Sequence, residues 1–279
     1  MSASAERRGF MLATGNPDFV RRDVQHLANL GARIVRLPLY IGADSNMDHW
    51  YANIDAALGV ARNSDMTVVI DFHWPSPGVQ GSQIVNVNDF VARWEGVARR
   101  YANEPGKNSI WYDLCNEPKA QNWRNFAMRA ARKIRTIDRV HPIVFAATGA
   151  TVHDVVPLEG IDNQILEFHF YNWSRMQLDF ENPLITYPDR QRGYTKDKMM
   201  DILQFIADTG KKYRMPVYLG ETAIFRDNPT AARFFRDVTQ GCDKLNIHLT
   251  LHAFREANVW DYENTRTWTV IEDWLRNRP

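Results

Sequence analysis

Cysteine is scarce, with only Cys115 and Cys242 among 279 residues. A disulfide framework is thereby excluded, and both thiols are expected to be free. Cys115, inside an apolar strand-like run, reads as a small buried group. No apolar run reaches the roughly 18 residues that a membrane-crossing helix needs, and the opening MSASAERRGF has no apolar stretch behind its charges. A water-soluble chain with no membrane partner is expected, with a secreted or periplasmic address if a signal peptide has been removed. Excess charge is also missing. The 34 Lys and Arg stand against 33 Asp and Glu, a net +1, which is too little field to hold nucleic acid or an anionic surface. Ser/Gly-rich linkers, low-complexity tracts and repeats of fixed period are lacking too. Residues 1–279 therefore read as one domain, expected to be a monomer.

Short β-branched or apolar runs recur along the chain, each followed by a segment of helical period. That alternation predicts parallel strands joined by crossover helices, an α/β fold. The strands are expected at Gly9–Thr14, Arg33–Pro38, Thr67–His73, Ser109–Asn116, Ile143–Ala147, Ile165–Phe170, Val217–Glu221 and Ile247–Phe254. Helices are expected at Pro17–Leu30, Asp48–Asn63, Val87–Ala102, Ala120–Asp138, Lys196–Tyr213, Pro229–Gln240 and Thr269–Arg276, with a weaker candidate at Val152–Leu158. Eight βα units at this length close a (β/α)8 TIM barrel. Two connections, Trp74–Asn86 and Asn172–Thr195, are longer than a βα loop requires. They follow strands, so they are candidates for the walls of a cleft.

The chemistry-bearing stretches lie at strand ends. In WYDLCNEPKA an apolar strand runs into Asn116 and Glu117, and Pro118 ends the ladder. In MPVYLGETA, Gly220 allows close approach and Glu221 closes the strand. These acids fall on the fourth and seventh strands, facing one barrel mouth. A carboxylate pair across a cleft is what glycosidic bond cleavage needs: one acid protonates the leaving oxygen and the other meets the developing oxocarbenium carbon. Arg36, on an inward strand of an apolar barrel, needs a partner, and a guanidinium fork would keep a nucleophilic carboxylate ionised. The 9 Trp residues exceed ordinary core needs, and indole faces suit the flat C–H faces of pyranose rings.

With NEP at Asn116–Pro118 and Glu221 seven strands in, the chain resembles glycoside hydrolase family 5, the cellulase family of clan A, over nearly its whole length. The resemblance implies a retaining glycosidase with Glu117 as acid/base and Glu221 as nucleophile. It also implies that His73 contacts the sugar beside the cleavage point, that Asn116 bonds its 2-hydroxyl, and that the His-x-Tyr pair His169 and Tyr171 supports the two acids. Near the eighth strand the likeness loosens. Trp260 is the candidate sugar platform, with His252 or Phe254 as alternatives for that place. Trp74 and Trp173, directly after strand ends, are further stacking candidates. Trp50, Trp94, Trp111, Trp123, Trp268 and Trp274 read as helix or core positions.

The expected activity is endo-acting, cellulase-like hydrolysis of a β-1,4-linked glucan, with a β-mannan or another β-glucan as the alternative substrate. No cofactor is implied. Asp71, His73 and His169 at strand ends raise a metal-dependent hydrolase, but no His-x-His pair follows the first strand and no cluster has zinc spacing. A barrel that binds polysaccharide without cleaving it is the other rival, and the presence of both acids argues against it.

Overall fold

The structure of the protein is a computed structural model that describes residues 6–12, 15–41, 46–73, 84, 86–150, 155–171 and 186–277. Eight strands, β1 (Arg8–Leu12), β2 (Ile34–Tyr40), β3 (Thr67–His73), β4 (Ile110–Asp113), β5 (Ile143–Ala146), β6 (Gln164–His169), β7 (Val217–Glu221) and β8 (His248–Phe254), close in chain order into a parallel barrel. Among the described residues, α1 (Pro17–Asn29), α2 (Met47–Ala61), α3 (Val87–Tyr101), α4 (Trp123–Arg135), α5 (Lys196–Tyr213), α6 (Ala231–Leu245) and α7 (Arg266–Arg276) surround it. The expected α/β barrel is thus present. Asn16, Asn46, Asn86, Thr195 and Thr265 start their helices by accepting backbone N–H groups of the first turn, which satisfies donors that have no partner inside the helix. No helix among the described residues is long and apolar enough to cross a membrane.

Several boundaries differ from the sequence reading by a few residues. β4 stops at Asp113 rather than Asn116. Asn116 N–H still bonds the Phe72 carbonyl at 2.9 Å, so the chain follows the barrel wall, but Glu117 takes a left-handed φ of 37° and Pro118 has no N–H to give. α4 starts at Trp123, whose indole is buried and donates to the Ala146 carbonyl at 2.8 Å. After β5 comes a 3-10 turn, Thr148–Ala150, ahead of the weaker helix candidate at Val152–Leu158. Residues 155–158 are not helical, and 151–154 lie outside the described residues. α6 continues through Gly241 to Leu245. That glycine is a packing position rather than a stop, since a Cβ there would lie 2.4 Å from Leu203 Cδ1 of α5. The helix ends instead at Asn246, in the left-handed region.

Strand alternation sorts the barrel interior into layers. Ile34, Val69, Trp111, Val144, Ile165 and Tyr218, one from each of six strands, form an apolar floor separate from the main core. Two residues further along those strands stand Arg36, Asp71, Asp113, Ala146, Glu167 and Gly220. Arg36, Asp71, Asp113 and Glu167 are fully buried, so the second layer is charged. The intervening strand residues, such as Val35, Val68, Phe168 and Leu219, face the helices in the main core.

β7 breaks this alternation at one point. Its pairing with β6 matches Glu167 to Tyr218 and Phe168 to Leu219, but His169 to Glu221. Gly220 is the extra residue of a bulge. Strict alternation would give Glu221 the parity of Leu219, among the helices. The bulge turns it into the barrel mouth.

Candidate active site

Three elements carry the acid pair and its closest partners. Glu221 ends β7, Glu117 sits on the strained turn after β4, and His169 ends β6 while Tyr171 follows it. His169 Nδ1 lies 3.2 Å from Glu117 Oε1 and 3.6 Å from Glu221 Oε2. Donor atoms of Glu117, His169 and Glu221 all fall within 4.8 Å of one another, so the two acids face each other closely. The Tyr171 hydroxyl donates to Glu221 Oε2 at 2.7 Å. The opposite oxygen, Oε1, receives Arg36 Nη1.

Arg36 holds more than the one acid foreseen for it. Its Nε donates to Asp113 Oδ2 at 3.0 Å and its Nη2 to Asn116 Oδ1 at 3.1 Å. Asp71 and Glu167 lie 3.2 and 3.4 Å from Nη2. His73 Nδ1 approaches Asp71 Oδ2 at 2.6 Å, and its Nε2 stands 4.0 Å from Glu221 Oε1. The structure therefore brings Arg36, His73, Asn116, Glu117, His169, Tyr171 and Glu221 into one cluster.

Burial works against a charge on Glu221, but His169 and Arg36, with His252 and His73 behind them, outweigh it and hold the carboxyl well below its usual range. Burial likewise opposes a charge on His169, yet Glu221, Glu117 and Glu167 raise its pKa well above that of an ordinary imidazole. Burial and the Glu221 charge push the Tyr171 phenol up, so it stays a donor. Asp113 moves up through burial and the neighbouring Glu167 and Asp71, against the pull of Arg36.

Trp260 lies further out. Its indole stacks on Phe225 at 5.0 Å and meets His252 edge-on at 5.2 Å, while His252 is 6.1 Å from Tyr171. His252 also pairs with Glu256 at 2.9 Å. Trp74 and Trp173 lie outside the described residues. Trp94, Trp111, Trp123 and Trp274 are buried, and Trp50 and Trp268 pack against the core, as their positions suggested. Both cysteines are free and buried.

Sequence reasoning missed Asp71, Asp113 and Glu167 as partners of Arg36. A signal was present: Asp71-Phe72-His73 and Glu167-Phe168-His169 repeat one acid-Phe-His pattern at two strand ends. In a strand, residues i and i+2 share a face, so each acid must lie beneath its histidine. Glu117, His169 and Glu221 are also the one set of described residues with donor atoms close enough to share a metal ion. Those atoms already face each other, Tyr171 and the Arg36 cation, which is the arrangement of an acid pair with its counter-ions.

An eight-stranded parallel barrel with two carboxylates facing across the mouth at the ends of its strands is the arrangement that glycosidic bond cleavage calls for. A family model, cellulase (glycosyl hydrolase family 5), matches residues 4–251, and the chain belongs to that family. Endoglucanase C of Evansella cellulosilytica is 29% identical over 107 residues, which cover 33% of this chain and 12% of that protein. Endoglucanase A of Butyrivibrio fibrisolvens is 26% identical over 155 residues, covering 50% of this chain and 34% of the relative. The matched segments thus span about a third or less of either curated relative. Cel5A of Thermotoga maritima, solved with cellobiose, superposes with a TM-score of 0.76 at 17% identity over 98% of both chains. The same protein solved with mannotriose gives 0.74 over 97% of both.

Proposed function

We propose that this protein cleaves a β-1,4-linked glucan internally, with retention of anomeric configuration, using Glu117 as acid/base and Glu221 as nucleophile. The observation that carries the reading is the approach of the two acids, with one oxygen of each within 4.8 Å of the other. Carboxyl groups roughly 5–5.5 Å apart suit a covalent glycosyl-enzyme, whereas inversion needs roughly 6.5–9.5 Å to admit a water between acid and sugar.

Each role follows from its surroundings. Glu221, ionised beside Arg36 and oriented by Tyr171, attacks the anomeric carbon as the glycosidic C–O bond breaks. The Glu117 proton passes to the leaving oxygen. Water then enters, Glu117 takes its proton, and the Glu221 ester is hydrolysed. Asn116 has its amide oxygen committed to Arg36, so its NH2 is the group left to meet the sugar 2-hydroxyl. A β-mannan is the second reading, favoured by the mannotriose complex of the Thermotoga maritima barrel.

Reducing-sugar release from carboxymethyl-cellulose, mixed-linkage β-glucan, glucomannan and galactomannan tests the substrate. Glu117→Gln and Glu221→Ala are each expected to lose about 10²–10⁴-fold or more in kcat. A 2-fluoro-cellobiosyl fluoride should add one glycosyl mass to the wild type and none to Glu221→Ala. Activity above about a tenth in Glu221→Ala overturns the nucleophile assignment, and α-configured first product overturns retention.

A further inference from the structure

His169 stands between the two catalytic acids, but its other nitrogen is turned toward the interior. Nε2 lies 3.3 Å from Glu167 Oε1, in the sealed charged layer below the mouth. Space for that carboxylate is provided from the neighbouring strand. A Cβ on Gly220 would fall 2.0 Å from Glu167 Oε1 and 2.9 Å from its Cδ. The residue that forms the bulge and turns Glu221 inward is thus also the residue whose missing side chain admits Glu167. The same Oε1 touches Arg36 Nη2, which fixes the carboxylate from a third strand.

We propose that Glu167 is a positioning residue for the hydrolytic reaction: it holds His169 by Nε2, so that the Nδ1 proton serves Glu221 and Glu117 in turn. The inference rests on the double-displacement reading of the site. In glycosylation the Glu117 proton goes to the leaving oxygen, the C–O bond to that oxygen breaks, and a bond from Glu221 to the anomeric carbon forms. One negative charge therefore leaves Glu221 and appears on Glu117. His169 keeps both of its protons throughout. With Nδ1 at 3.6 Å from Glu221 Oε2 and 3.2 Å from Glu117 Oε1, a small rotation of the ring follows the charge as it moves. Glu167 supplies what such a ring needs on its far side, a fixed acceptor that keeps the imidazole cationic and stops it turning over. Charge stabilised by groups already in place costs no reorganisation as the reaction proceeds.

The charged and titratable groups that face this pair are Glu117, Glu221 and Tyr171 around His169, and Arg36, Asp113 and Tyr218 around Glu167, with Asp71 on the same guanidinium. Removing one negative charge from beneath His169 lets its proton leave at lower pH. An opposite charge at this range shifts a titration by about 1–3 units.

Two measurements decide the matter. In protein labelled with 15N at histidine, His169, assigned by its loss in His169→Asn, is expected to have both ring nitrogens protonated at pH 7.5. A neutral ring at that pH overturns the proposal, and this result needs no active enzyme. The pH profile of kcat/KM on an aryl β-cellobioside is the second. Glu167→Gln, isosteric and uncharged, should move the alkaline limb to lower pH by about one unit or more, giving about a ten-fold loss above the limb. Glu167→Asp, which keeps the charge, should recover most of the shift. Lower activity in Glu167→Gln with an unmoved limb makes the residue a packing element and overturns the proposal. Wild type without hydrolysis, or Glu117→Gln and Glu221→Ala with activity intact, would remove the reaction reading instead, and the histidine spectrum of Glu167→Gln beside that of wild type would still decide whether Glu167 holds the ring charged.

Discussion

Arg36 brings one positive charge to a compartment where four carboxylates, those of Asp71, Asp113, Glu167 and Glu221, approach its guanidinium. Removing one partner of a buried ionic network leaves the other charges without compensation, at about 3–5 kcal/mol. Arg36→Met is therefore expected to lower the free energy of unfolding by about that amount, read by urea denaturation, and to abolish hydrolysis. Arg36→Lys should fold better yet stay strongly impaired, because a point charge cannot reach acids on several strands at once. Two of the shifted groups of the mouth bound stability from opposite sides. Glu221 titrates below its unfolded value of about 4.3. Its charge adds stability above that pH, and the gain is lost as pH falls through the folded value. His169 titrates above its unfolded value of about 6.5. Its contribution is complete below that pH and is lost as pH rises through the folded value. In melting temperature against pH, Glu221→Gln should flatten the acid side and His169→Asn the alkaline side. Parallel curves for wild type and variants would contradict both assignments. At this scale the two acids of the mouth were legible because each closes an apolar run beside a Gly or a Pro. The acids beneath were not, because strands of a parallel barrel are buried on both faces and hydrophobicity alone does not separate inside from outside.

Strand β7 shows what an element does that its residues do not reveal singly. Sequence places Glu221 at the strand end, but a strictly alternating strand would aim it at the helices, and the bulge at Gly220 corrects the direction. Gly220→Ala would drive a Cβ against Glu167, so the expected result is about 1–3 kcal/mol of destabilisation with about a 10²-fold fall in kcat from displaced groups. Gly241→Ala in α6 makes a useful contrast. Its Cβ would meet the flexible ends of Leu203 and Met200, so thermal unfolding should move little and kcat should not change. Equal losses in the two variants would deny Gly220 any special place. Strand order and most helices were legible because period and capping residues agree. β4 was overdrawn, since Leu114 and Cys115 extend its apolar run past Asp113, where the strand ends, toward Glu117 in the left-handed region.

For the whole molecule, near-neutrality has a kinetic meaning. With a net charge of +1 and the uncharged polymer proposed as substrate, long-range steering contributes nothing that salt can screen. Raising salt from about 50 to about 500 mM should alter kcat/KM by less than about two-fold, since the Debye length over that range is roughly 4–14 Å. A steep salt dependence would point to an anionic substrate. The charged layer has a further consequence, for descent and recombination. Arg36, Asp71, Asp113 and Glu117 belong to the first four βα units, whereas Glu167, His169, Gly220 and Glu221 belong to the last four. A chimaera joining one half of this barrel to a foreign half would inherit a cation facing an empty wall, or two acids facing each other without it. The acid pair of the mouth therefore works only together with the stratum below, and a recombined barrel needs the two halves rematched across that layer.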